Sequence, residues 1–213
     1  MADPTDRLRL VQWLSPAFPI GAFAYSQGLE VAITDGDIRT AADLEAWIAA
    51  ILRHGSGRID AILLAHARKS DADLTALTDL ILALAPSAER VTELQEQGRA
   101  FALAISAITN TDHPARPYPI AVGAATASLN VSTTEVLTLW LQGLAVQLTA
   151  AAVRFVPLGQ TDGQKTLANL APRITALAAE YADAPLSALH SSAIRADIAA
   201  MRHETLPVRI FRT

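Results

Sequence analysis

Residues 136–153 read VLTLWLQGLAVQLTAAAV, eighteen positions without a charge. The length is close to that of a membrane span. Yet Thr138, Gln142, Gly143, Gln147 and Thr149 recur through it, and repeated polar groups are expensive in lipid. Ser132 and Glu135 stand just ahead at the spacing of a capping box. The stretch therefore reads as one long helix, opened at Ser132 and running to about Phe155. It is expected in a protein core or an oligomer interface, where it needs helical partners on several faces.

Those partners are legible on both sides. Upstream, Thr40 with Asp43 forms a capping-box-like start, followed by Leu44, Trp47, Ile48, Ile51 and Leu52 at helical spacing. Gly55-Ser56-Gly57 breaks that helix, and another runs from about Arg58 to Lys69. Ser70 with Asp73 reads as the cap of a short helix ending before Pro86, and Ser87 caps a longer one to about Ile108. Three prolines between 114 and 119 interrupt the chain. A small-residue helix over Ile120–Ser128 leads to the uncharged stretch. Downstream, a helix resumes near Thr161, with a kink or break expected at Pro172. The last helix is expected over Ser187–Met201, and His203 to Thr213 reads as a tail. No strand alternation or fixed-period repeat appears. The expected fold is all-α, about ten helices without significant β-sheet, in one helical domain over 1–213.

The chain has 213 residues, of which 51% are apolar and only 5% aromatic. Its core must therefore be built from Ala, Leu, Ile and Val, and Ala is the best helix former. The net charge of −4 argues against a general nucleic-acid binder, which needs a clustered basic surface. With no cysteine, disulfides and thiolate metal sites are excluded. That is compatible with the cytoplasm. Met1–Arg7 is acidic, without the apolar run of a signal peptide.

Residues 14–30 are the most specified part of the chain, with two prolines, two glycines and three aromatics. The chain must turn sharply here, then restart as a helix with Phe23, Tyr25 and Gln27 near its start and an end near Ile33. A second unusual turn lies at Pro157–Gln164. Its Gly159–Thr166 portion ends in Lys-Thr but lacks the phosphate-loop spacing. No HxH, HxxxH or HExxH pair occurs. Of the histidines, His54 and His113 are expected to be solvated and His66 and His190 partly buried. No Ser-His-Asp order emerges, and Asp35/Asp37 and Asp71/Asp73 look like turns and caps. The sequence thus presents no catalytic, cofactor or metal set. The tail, with Arg202, Arg209 and Arg212, is a basic segment on an acidic protein. It reads either as a frayed terminus with ordinary solubilising charge or as a peptide that orders on docking, with Arg as an anchor.

Ser15-Pro16-Ala17-Phe18-Pro19-Ile20-Gly21 with Tyr25-Ser26-Gln27-Gly28-Leu29-Glu30 resembles the N-terminal signature of the urease accessory protein F family. Val153–Gln164 resembles its central signature. Tyr118–Gly123, His203-Glu204-Thr205 and Arg209-Ile210-Phe211-Arg212 resemble further family segments. The order agrees from about Leu8 to Thr213.

The resemblance implies a cytoplasmic, all-α homodimer that is not an enzyme and has no cofactor. It implies a scaffold in nickel insertion into apo-urease, binding the D/H-type accessory protein and recruiting the G-type GTPase. Partner contacts carried over by motif are Tyr25, Ser26 and Glu30; Gln160, Asp162 and Lys165; and His203, Glu204, Arg209 and Arg212. Alternative readings are a nickel metallochaperone, a GTPase-activating protein supplying an arginine finger, and an enzyme using His203-Glu204 or the 159–166 turn. No nucleic acid and no membrane are expected as partners.

Overall fold

The computed structural model describes residues 3–155 and 158–213. Among them lie ten α-helices and no strand. They are α1 (Pro4–Trp13), α2 (Leu29–Thr34), α3 (Ala41–His54), α4 (Ser56–Ala67), α5 (Leu74–Ala83), α6 (Ala88–Thr109), α7 (Tyr118–Thr126), α8 (Thr133–Phe155), α9 (Gln160–Ala182) and α10 (Ile194–His203). Short 3-10 turns occupy Ala22–Ala24 and Leu186–Ala188. The all-α expectation holds. Val156 and Pro157, within the second unusual turn, lie outside the described residues.

The uncharged stretch forms α8, which is long and apolar enough to cross a membrane by length and composition. Here it lies against α2, α3, α4 and α9. Val136, Leu137, Trp140, Leu141, Leu144, Ala145 and Leu148 are buried. Leu139, Gly143, Val146, Gln147 and Ala150 fall on another face at helical spacing and line a cavity. The helix surrounded most completely is α4, which touches α3, α5, α7, α8 and α9. Close approach to α7 depends on Gly123, where a Cβ would stand 2.6 Å from the Leu64 carbonyl oxygen. A ladder of tilted rings crosses the core, from Phe18 to Phe101 (5.5 Å), Tyr118 (5.6 Å) and Trp140 (4.8 Å). It ties the opening loop to α6, α7 and α8.

Local chemistry set several boundaries as read. Thr40 and Asp43 form a reciprocal capping box on α3, and Ser87 caps α6. Elsewhere the boundaries differ. Asp73 alone caps α5, accepting from the N–H groups of Thr75 and Ala76. The helix α9 passes unbroken through Pro172. Pro172 and Ala168, whose carbonyl the ring would crowd, are both on the exposed side, so water can satisfy what the helix loses. The last helix begins at Ile194 because the preceding segment is pinned elsewhere: Ser192 and Ala193 N–H groups donate to the His54 carbonyl at 2.7 and 3.1 Å.

Candidate functional site

The opening motif does not restart as a helix at Phe23. After Gly21 (φ 72°) the chain makes one 3-10 turn, extends at Tyr25, and turns left-handed at Gln27 and Gly28 (φ 53° and 79°) before α2. Gly28 is required twice over. Its φ disfavours a side chain, and a Cβ would come within 2.6 Å of the Ala200 backbone nitrogen. The turn is therefore shaped so that α10 can lie across it.

What the turn holds is the C-terminal segment. The Ser26 N–H donates to the Thr213 carbonyl at 2.9 Å, and its hydroxyl donates to the same oxygen. Gln27 N–H donates to Thr213 Oγ1 at 3.1 Å, and Arg212 N–H to the Ala24 carbonyl at 2.7 Å. Four residues on, the Glu30 carboxylate accepts the N–H groups of Ile210 and Phe211, both at 2.9 Å. Phe211 itself is buried in the main core. The segment from His203 is thus seated on the fold of the isolated chain. Its readings as a frayed terminus and as a peptide that orders on docking are corrected: Glu30 on α2 and the Ala24 carbonyl accept its backbone N–H groups.

His203 closes the arrangement. It is wholly buried, with Nε2 3.1 Å from Glu30 Oε2 and Nδ1 2.7 Å from Glu89 Oε2, so each ring nitrogen faces a carboxylate. Arg209 donates to the other Glu89 oxygen at 2.5 Å. Glu204 accepts from the Ala88 N–H at 2.7 Å, capping the positive end of α6. Arg212 and Tyr25 converge on Glu96 Oε2 at 2.8 and 2.5 Å. Burial, and then Glu96, pushes the Tyr25 hydroxyl up to about 12. The Tyr25 hydrogen bond holds Glu96 below the usual carboxylate range.

Behind the turn is a cavity of about 230 Å³. Its walls include Phe23, Tyr118, Leu139, Trp140 and Leu144, and its polar floor is Asp60, Arg90, Glu93, Gln97, Gln27 and Gln147. Arg90 bridges Asp60 Oδ2 (2.5 Å) and Glu93 Oε2 (2.7 Å). The Glu93 contact is an ion pair off the hydrogen-bond axis, since that oxygen has no hydrogen-bond donor among the described residues. Glu93 Oε1 instead collects the amides of Gln27, Gln97 and Gln147 at 3.1, 3.1 and 3.5 Å. Burial pushes the Asp60 carboxyl up to about 6, against the pull of Arg90. The two carboxylates drive the Arg90 guanidinium upward despite its burial.

The expected site residues therefore fall into two groups. Tyr25, Ser26, Glu30, His203, Glu204, Arg209 and Arg212 come together in one network. Gln160, Asp162 and Lys165 stand apart at the start of α9, where Lys165 pairs with Asp162 at 3.5 Å. Sequence reading missed the network's partners on α6: Glu89, Glu93 and Glu96, with Arg90 and Gln97. Their only signal was polar residues on the face that also carries Leu94 and Phe101. The histidine expectations are partly reversed. His113 is half-buried and His190 exposed, because the loop before α7 folds over Ser106 while residues 189–193 run along the surface. Among the described residues no three His, Asp or Glu side chains gather as a metal set.

Fold and site define an all-α protein whose C-terminal segment is seated on its own N-terminal turn. The family model described as UreF matches residues 38–171. A protein from Cereibacter sphaeroides described as "Urease accessory protein UreF" is 60% identical over 206 residues, covering 97% of this chain and 98% of that one. Proteins of the same description from Jannaschia sp. and Paracoccus denitrificans are 48% and 47% identical, covering 97% of this chain and 94% and 96% of theirs. The chain belongs to the UreF family of urease accessory proteins.

Proposed function

We propose that this chain is a non-catalytic scaffold of urease maturation in the cytoplasm, acting as a homodimer. It binds the D/H-type accessory protein and recruits the G-type GTPase, so that nickel reaches apo-urease. The observation that carries this reading is an exposed apolar stripe. Ile194, Ile198 and Met201 project from one side of α10, and Val208 and Ile210 from the segment after it, all exposed. Apolar surface grouped on one element marks a protein-interaction site. Here its scaffold is rigid, because Gly28 admits α10 and Glu30 fixes Ile210.

Within this reading the network residues divide by role. Arg209 and Arg212 reach the partner directly, with Gln160, Asp162 and Lys165 presenting a second surface at the start of α9. Tyr25, Ser26, Glu30, His203 and Glu204 act by holding the segment in place. The test is co-purification of the tagged chain from cells expressing the urease operon, followed by a nickel-dependent urease assay. Ile198→Asp with Met201→Asp is expected to lose the D/H-type protein and urease activation while keeping its melting temperature. Normal partner yield with the double variant overturns the proposal.

A further inference from the structure

Gln27 touches both the seated C-terminal segment and the cavity. Among the described residues only Gln27 and Asn110 are non-glycine residues with positive φ. Asn110 ends α6, where asparagine tolerates that conformation. Gln27 has no such local reason, and an L side chain in the left-handed region persists only where its surroundings over-determine it. Here the surroundings are three contacts. Its N–H donates to Thr213 Oγ1 at 3.1 Å, its Nε2 to Glu93 Oε1 at 3.1 Å, and its Oε1 accepts from Ser56 Oγ at 2.8 Å. The first belongs to the C-terminal segment, the second to α6 and the third to α4.

The same side chain is a partition. The 230 Å³ cavity on the α8 side and a 30 Å³ void on the α10 side share Gln27, Arg90 and Glu93 in their linings, and Thr213 lines only the smaller. Removal of Thr213 takes away the Gln27 N–H acceptor and both Ser26 contacts at once. The backbone of Gln27 is then free to return to negative φ. That rotation withdraws the side chain from Glu93 and Ser56.

We propose that Gln27 is a partition operated by the C-terminal segment: seated Thr213 keeps it between the two voids, and displacement of Thr213 lets them join. Loss of the Thr213 seat is thereby sensed at the Glu93 cluster and at Trp140 across the cavity. The device is intramolecular and does not depend on which partner docks.

The test uses the full chain with Trp13→Phe and Trp47→Phe, leaving Trp140 as the sole tryptophan, and acrylamide quenching as the readout. Phe211→Ser, which unseats the segment, is expected to raise the Trp140 quenching constant by about twofold or more, as a local opening does, with helical circular dichroism kept. Thr213→Val, which removes only the Oγ1 acceptor, should move it the same way by less, and it serves if Phe211→Ser fails to fold. Gln27→Gly keeps the left-handed backbone without the partition. It should start at the raised value, with no further rise on adding either tail variant, a non-additivity that marks coupled residues. Faster amide exchange in the segment with unchanged Trp140 quenching overturns the proposal. So does additivity of the tail variants with Gln27→Gly.

Discussion

Glu30 and His203 meet at 3.1 Å across 173 residues of chain, with both side chains buried. Through this pair the N-terminal turn and the last helix become one structural unit, since Glu30 also holds the backbone of Ile210 and Phe211.

Removing the Glu30 carboxylate takes away the partner of the buried His203 Nε2 and the acceptor of the Ile210 and Phe211 N–H groups, the second of them buried. Leaving a buried hydrogen-bonding group without its partner costs about 1–3 kcal/mol. Glu30→Ala is expected to lose stability on that scale in urea denaturation, and Glu30→Gln less, because its amide oxygen still accepts. A loss below about 1 kcal/mol, the size of one ordinary hydrogen bond, would show that the carboxylate does not organise the segment.

Gly28→Ala places a methyl 2.6 Å from the Ala200 nitrogen at φ 79°. Neither the backbone of α10 nor the left-handed turn can yield cheaply, so a destabilisation of about 1–3 kcal/mol is expected. The displacement of α10 should also weaken binding of the proposed D/H-type partner beyond what the melting temperature explains. Full partner affinity in a destabilised Gly28→Ala protein would separate the turn from the docking surface.

How far these relationships can be read from sequence depends on their range. Thr40 with Asp43, Ser87, and the stripe from Leu44 to Leu52 act within one or two turns, and they were legible. The restart of α2 was not, because the left-handed pair answers to distant partners, Gly28 to α10 lying over it and Gln27 to Thr213, each more than 170 residues away. Asp73 in place of Ser70 turned on which of two nearby polar residues adopts the cap geometry. The seated tail was missed for a similar reason. Basic composition at a chain end resembles a mobile peptide until Glu30, Glu89 and Glu96 are seen to converge on it. The polar floor around Glu93 had no sequence signal beyond polar residues on an apolar face.

Asp60 supplies a pH signature. Its folded-state value near 6 lies above the ordinary aspartate value. The stability it contributes is therefore present at low pH and is lost as pH rises through about 6. Asp60→Asn removes that slope. The stability difference between variant and wild type should shift in the variant's favour between about pH 4 and 7, whatever its constant offset from losing the Arg90 pair. Parallel stability–pH curves would count against a strained carboxyl.

The chain has three tyrosines, and all three hydroxyls are raised, chiefly by burial. Spectrophotometric titration of the native protein should show little tyrosinate at pH values near 10, the ordinary tyrosine range, while denatured protein titrates there. By linkage, the stability these groups contribute is lost as pH rises above that range. A native tyrosine titrating normally would place Tyr25 outside the network with Glu96 and Arg212.

The central claim is that the N-terminal turn seats the C-terminal segment in the isolated chain and so builds the α10 surface. Hydrogen–deuterium exchange of the amides of Ile210 and Phe211 tests it most directly. The account predicts protection comparable to that of α2 in the wild type, lost in Glu30→Ala while the helices α3, α4 and α8 stay protected. Exchange of these two amides at the rate of an unstructured peptide in the wild-type chain would contradict it.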